Sequence, residues 1–141
     1  MTQINAESNN DDFLYKKITY EIRGACFDVW KEFRGAFKEI ITDRALTIAL
    51  EKRGLTVQDK VSIDIYYEGK IVGKYIPDKI VNGVILIELK SKPFITQEDK
   101  RQFWLYLQAS EYRIGLLINF GTHKLEIIRR IYDSARKKSL R

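Results

Sequence analysis

The chain has 141 residues, with 25 Lys and Arg against 19 Asp and Glu for a formal net charge of +6, and 45% of it is hydrophobic. That length suits one compact domain burying roughly two-thirds of its unfolded surface and leaves little room for a second, while the basic excess fits a polyanionic partner such as nucleic acid. No apolar run reaches the roughly 18 residues of a membrane-spanning helix and the first residues carry no signal-peptide core, so a cytoplasmic protein without membrane contact is expected.

In chain order, Met1 to Asp12 is polar, acidic and without periodicity, and reads as a disordered tail. From Phe13 onward Ile18, Ile22, Ala25, Cys26, Val29 and Phe33 recur at helical spacing, predicting an amphipathic helix over 14–32 that ends before Arg34-Gly35. Cys26 is the single cysteine, so it forms no internal disulfide; it reads as a small core residue in a reducing compartment. A second helix is predicted over 36–53, with Phe37, Ile40, Ile41, Ala45 and Ile48 on one face, Leu46 and Leu50 on another, and a stop at Gly54. Apolar on two sides, it is expected to be sandwiched in the core. Residues 61–67 alternate and are rich in strand formers, and Glu68-Gly69 turns into a strand over 70–76.

The next segment carries the chemistry. Pro77 and Asp78 lie on one arm of a hairpin, Glu88, Leu89 and Lys90 on the other, and Asn82-Gly83 between them. The second arm runs Val84-Ile85-Leu86-Ile87 before it breaks into charge, the pattern of a buried central strand. Charges at the end of such a strand must pair, hold a metal or meet water, because desolvating an unpaired one costs more than packing returns. Asp78 and Glu88 can supply oxygen ligands to Mg²⁺ or Mn²⁺, which is usually held by one or two carboxylates. Lys90, two residues beyond Glu88, shares its face of the strand and can orient a water or stabilise charge on a phosphodiester.

Strand register tests this pattern. A two-residue Asn82-Gly83 turn would set Asp78 opposite Ile87 and send the two carboxylates to opposite faces. A common face needs a three-residue loop, or a bulge at Pro77-Asp78, and one of these irregularities is therefore predicted.

After Pro93, Thr96 and Asp99 form a capping-box signature for a helix over 96–110. Ile114 to Phe120 is another apolar strand, expected parallel to 84–90 through the intervening helix, and a last strand covers 124–131. Gln102 and Tyr106, four apart, share a helix face and can touch a phosphate or the attacking water. Glu39 shares a stripe with Leu46 and Leu50, so it begins a face expected to be buried. Other features read blandly. His123, the only histidine, stands in a turn and supports neither a zinc site nor a histidine-based triad. No Gly-rich phosphate loop precedes a helix. Trp30 and Trp104 read as packing residues, and the basic tail 134–141 as a solvated terminus or a phosphate contact.

These residues carry a resemblance over about Leu14 to Ile131. Ala36-Phe-Lys-Glu39, Ile76-Pro-Asp78, Ile87-Glu-Leu-Lys90, Gln102-Phe-Trp-Leu-Tyr106 and Gly115-Leu-Leu-Ile-Asn-Phe-Gly121 follow the order and spacing of the small bacterial GxxExxR proteins. Those are placed in the PD-(D/E)XK nuclease superfamily. The leading glycine of the name motif is replaced by Ala36, with Gly35 just before it, and Thr42 stands at the motif's last position. The resemblance implies an α/β, restriction-endonuclease-like core with a mixed sheet flanked by helices, spanning 13–133. It also implies a Mg²⁺- or Mn²⁺-dependent nuclease acting on DNA or RNA, with DNA the first expectation. Metal would fall to Glu39, Asp78 and Glu88, and catalysis to Asp78, Glu88, Lys90, Gln102 and Tyr106. A homodimer would suit the cutting of both strands. The alternative is an inactive nuclease-like fold that binds nucleic acid or a protein, with the charged cluster kept as structure.

Overall fold

A computed structural model describes residues 2–132, with side chains from residue 15 onward. The elements are α1 (Thr2–Phe33), α2 (Glu39–Lys52), β1 (Val57–Asp59), β2 (Ile63–Tyr67), β3 (Lys70–Tyr75), β4 (Lys79–Val81), β5 (Ile85–Lys90), α3 (Gln97–Ala109), β6 (Ile114–Phe120) and β7 (Leu125–Ile131). Five strands form one sheet in the order β1-β4-β5-β6-β7, and β2 with β3 forms a separate two-stranded ribbon. Only the β5–β6 pair is parallel, which makes the large sheet mixed. This is the α/β architecture expected from the sequence.

The sheet has an apolar layer on each side. On one face Val81, Ile85, Ile87, Ile114, Leu116 and Ile118 pack against Ile18, Ile22 and Cys26 of α1 and Leu46 and Leu50 of α2. On the other, Ile80, Leu86 and Leu117 meet Phe103 of α3 and Ile63 and Tyr75 of the ribbon. Strand β6 is buried along its whole length because it lies inside the sheet and is covered on both sides. Helix α3, predicted to within a residue at each end, carries the β5-to-β6 crossover. Thr96 accepts from the Asp99 backbone N–H at 3.1 Å and the Asp99 carboxylate accepts from Thr96 N–H at 2.9 Å, completing the capping box. Gly115 lets this helix sit down on β6, since a Cβ there would lie 2.6 Å from the Phe103 ring. Cys26 is fully buried, and burial pushes its thiol up to about 12.

Four expectations are corrected. Helix α1 runs from Thr2 rather than from about 14, so the segment expected to be disordered up to Asp12 is helical. No Gly or Pro stands in residues 2–12, and extending a helix already held by packing costs far less than nucleating one. Helix α2 begins at Glu39 rather than 36, because Lys38 is extended at ψ 154 and Phe37 turns back edge-on to Phe33. It buries one face only: Leu46 and Leu50 are inside, whereas Phe37, Ile40, Ile41 and Ile48 are exposed. Finally, the strands expected at 61–67 and 70–76 do not continue the main sheet. Its edge beside β4 is taken by the short polar strand β1, whose three residues show no apolar alternation. The tail 134–141 lies outside the described residues. Among the described residues no helix is long and apolar enough to cross a membrane.

Candidate active site

The hairpin between β4 and β5 decides whether a site exists. Its register pairs Lys79 with Ile87, Ile80 with Leu86 and Val81 with Ile85, leaving Asn82, Gly83 and Val84 as a three-residue loop. Asn82 and Gly83 take left-handed backbone at φ 51 and 68, and the Val84 N–H closes the turn on the Val81 carbonyl at 3.1 Å. Asparagine and glycine tolerate that conformation best. The Asn82 side-chain oxygen also accepts from the Thr56 N–H at 2.8 Å, tying the turn to the segment that enters β1. One step beyond the Lys79–Ile87 pair, the same register sets Asp78 opposite Glu88, on the face shared by Ile80 and Leu86. The irregularity that a common face demands is thus the three-residue loop.

Asp78 is 9% exposed, and both of its oxygens are engaged. Oδ2 accepts the Leu89 backbone N–H at 2.7 Å, and Oδ1 accepts the Lys60 ammonium at 2.9 Å. Glu88 is less well provided for. Burial, followed by the negative charge of Asp78, pushes its carboxyl up from 4.5 to about 8, with Lys90 only partly opposing them. Glu39 is exposed in the first turn of α2, contrary to the buried position expected for it. Its carboxyl is also held above the ordinary value, by desolvation and then by Asp78, while Lys90 and Lys60 pull it down. Glu39, Asp78, Glu88 and Lys90 therefore share one electrostatic neighbourhood built from the start of α2 and the ends of β4 and β5.

Tyr106 flanks this neighbourhood from α3, stacked at 4.0 Å and 6° on Tyr75, the last residue of β3. Tyr75 was not expected from sequence to belong to the site. It is 6% exposed, and its buried hydroxyl lies beside the Glu88 carboxyl. Burial and the charges of Glu88 and Asp78 raise that hydroxyl well above the ordinary phenol range. Gln102 is exposed on α3, one turn before Tyr106. His123 is exposed, as expected.

Two lysines were also missed. Lys79 is fully buried on the opposite face of β4, where its ammonium donates to Asp43, to Thr47 Oγ1 at 2.6 Å and to Asp59 Oδ1 at 2.9 Å. This network pins α2, and with it Glu39, to β4 and β1. A signal was present: Lys79 alternates with Val81 on an inward face, and a buried ammonium requires carboxylates. Asp43 lies on the Leu46 and Leu50 stripe and supplies one. Lys60, just after β1, donates to Asp78 and also lies 3.8 Å from Asp43 Oδ2. Its hydrogen bond to Asp78 leads the causes that raise its ammonium above the ordinary lysine value. Nothing in the local sequence points to that contact, because β1 has no recognisable strand pattern.

Among the described residues the arrangement holds more carboxylates than ammoniums. Glu39, Asp43, Asp59, Asp78 and Glu88 contribute five carboxylates, against the ammoniums of Lys60, Lys79 and Lys90. A protonated Glu88 relieves part of the deficit, and a divalent cation can relieve it more fully. Among the described residues no group of three Asp, Glu, His or Cys side chains is arranged to hold a metal ion. The donor set that fits one is the opposed pair Asp78 and Glu88, which matches the one or two carboxylates, with water and phosphate, that Mg²⁺ accepts.

A family model for the PD-(D/E)XK nuclease superfamily matches residues 16–131, a span that takes in the whole sheet, the three-residue hairpin and every site residue described above. No curated protein and no solved structure matches the chain. With the mixed sheet, the opposed Asp78 and Glu88, and that match over most of its length, the chain belongs to the PD-(D/E)XK nuclease superfamily.

Proposed function

We propose that the chain is a metal-dependent nuclease that hydrolyses phosphodiester bonds in DNA (or RNA) through Asp78, Glu88 and Lys90, within one nuclease-like domain over 13–133. The observation that carries this reading is the hairpin register, which sets two carboxylates face to face with too little positive charge between them. Within the superfamily we place the chain with the GxxExxR proteins, on the segments around Glu39, Asp78, Glu88 and Gln102. A cytoplasmic protein suits its lone buried thiol, and a second copy would serve the cutting of both strands of a duplex.

Asp78 and Glu88 would hold Mg²⁺ or Mn²⁺, with Glu39 contributing directly or through water. Once bound, the ion supplies charge neutralisation at the phosphodiester and acidifies a water. Asp78 is oriented for the task by the Leu89 N–H, so its carboxylate plane is set before any ligand arrives. Lys90, on the Glu88 face, holds its ammonium where it can orient the nucleophile or meet the charge that develops on phosphate oxygens. Tyr106 with Gln102 would position the scissile phosphate, and Tyr75 holds Tyr106 in place by stacking. The rigidity of the site comes from β5, which is buried between two neighbouring strands.

The Lys60 ammonium on Asp78 favours a second reading, in which the charged cluster is closed as structure and the fold only binds nucleic acid or a protein. Cleavage assays with Mg²⁺ or Mn²⁺ on single-stranded and duplex DNA and RNA decide between the two. We expect metal-dependent cleavage that Asp78→Ala lowers by at least about a hundred-fold, the scale of removing one group that stabilises transition-state charge. Equal activity in the two proteins overturns the assignment of the site. No cleavage of any substrate, together with tight binding, selects the second reading.

A further inference from the structure

Lys60 is not one of the residues the nuclease reading requires, yet it makes the most direct contact of any cation with the acidic pair. Its ammonium lies 2.9 Å from Asp78 Oδ1, the oxygen left over once the Leu89 N–H has taken Oδ2. We propose that Lys60 is a built-in counter-cation, holding the ligand position on Asp78 until a divalent cation displaces it. The inference rests on the reading of Asp78 and Glu88 as a cation site.

Three observations support it. Lys60 stands outside the regular strands: it follows the three-residue edge strand β1 and belongs to the connection to β2, whereas Lys90 is the last residue of the internal strand β5. Its backbone is left-handed at φ 55, a conformation that residues with a Cβ adopt at a cost. A backbone bond from the Lys60 N–H to the Asp78 carbonyl, at 3.3 Å, holds the segment there. Second, the ammonium has an alternative resting place. Asp43 Oδ2 lies 3.8 Å away, and the other oxygen of that carboxylate is already satisfied by Lys79. A short swing toward Asp43 keeps Lys60 paired and frees Asp78 Oδ1. Third, the side chain of Lys60 is 56% exposed, so more than half of it faces solvent, where a swing meets little resistance. An ammonium and a divalent ion cannot share one carboxylate oxygen in a partly buried site, because like charges at contact distance repel strongly there. Binding of the ion is therefore coupled to the movement of Lys60, and the intrinsic affinity of the pair is reduced by the work of displacing it.

The test is calorimetric titration of Mn²⁺ into the full chain, without nucleic acid, for the wild type, Lys60→Met and Lys60→Arg, with Asp78→Asn as a control. Lys60→Met keeps most of the stem and removes the charge; it is expected to tighten Mn²⁺ binding by about ten-fold or more. Lys60→Arg keeps the charge and should stay near the wild-type affinity, which separates an electrostatic role from a merely structural one. Asp78→Asn should abolish binding. Unchanged or weaker binding in Lys60→Met overturns the inference while leaving the cation site standing. Absence of Mn²⁺ binding in both the wild type and Lys60→Met removes the cation site itself. Where Lys60→Met does not fold, the wild type still decides, through amine acylation followed residue by residue in a mass spectrometer. Mn²⁺ should change the labelling rate of Lys60 and leave that of the exposed Lys70 as it was; equal rates at Lys60 with and without Mn²⁺ overturn the proposal.

Discussion

The two faces of strand β4 treat charge in opposite ways. Lys79 points into the layer beneath α2 with no exposure at all, and its ammonium meets Asp43, Thr47 and Asp59 at once. Asp78, its neighbour in sequence, points to the other face, where it lies against Glu88, with Lys60 and Lys90 beside the pair and the buried Tyr75 hydroxyl alongside. Every hydrogen of the first group has an acceptor. In the second, burial and the charge of Asp78 raise the Glu88 carboxyl, and Lys90 only partly opposes them. A charge buried for structure has to be satisfied within the fold, because each missing partner costs stability. A charge buried for binding is left short, and the ligand makes up the difference.

Three measurements can break or sharpen that contrast. The largest effect is expected at the satisfied face: Lys79→Ala strands the buried Asp43 carboxylate and should cost about 3–5 kcal/mol, read as a lower urea midpoint with an unchanged slope. A loss below about 1 kcal/mol would mean that the network contributes little to holding α2 on the sheet.

At the unsatisfied face, stability should depend on pH through Glu88, whose carboxyl is raised from 4.5 to about 8 in the fold. Between those values the folded chain holds a proton that the unfolded chain has released. Stability in the absence of divalent ions therefore falls as pH rises from about 4.5 through about 8. Glu88→Gln should flatten the profile across that window, and saturating Mg²⁺ should lift its alkaline end. Thermal melts at a series of pH values provide the check, and a wild-type profile that already runs flat there contradicts the picture of an under-compensated pair.

The smallest effect belongs to Asp99, a third carboxylate and the counterpart of Glu88. Although burial alone would push it up, the Lys92 ammonium at 2.8 Å and the Thr96 contacts bring it down from 3.8 to about 2. Its contribution is present above pH 3.8 and is lost as pH falls toward about 2, a sign opposite to that of Glu88. Asp99→Asn should remove part of that acid-side slope and cost about 1 kcal/mol at neutral pH, the usual worth of a helix cap.

Most of the site was legible in the sequence because its grammar is local. The Thr96–Asp99 cap, the stop of α2 at Gly54, the period of two that sets Glu88 and Lys90 on one face, and the need for an irregular loop at Asn82-Gly83 all follow from spacing along a few residues. Tyr75 was hidden because its role depends on a stack with Tyr106, thirty-one positions away on another element. Lys60 was hidden because β1, which delivers it, is a three-residue polar strand held by its pairing with β4 rather than by any pattern of its own. The exposed face of α2 misled for a related reason. An apolar stripe records what a helix could bury, and among the described residues Ile40, Ile41 and Ile48 find no element to bury them.

The amino-acid order alone therefore determined the helices α1 to α3, the hydrophobic strands β5 and β6 and their parallel crossover, and the candidate residues Asp78, Glu88 and Lys90. It did so because helical and strand periodicities, caps and turns are written within single elements. Only the tertiary structure decided which charged groups meet: the clasp of Lys60 on Asp78, the burial of Lys79 among Asp43, Thr47 and Asp59, and the approach of the Tyr75 hydroxyl to Glu88. Those pairings join segments 18 to 36 residues apart. Electrostatic interactions depend on distance through space and on local burial, and neither quantity is written into the spacing of residues along a chain.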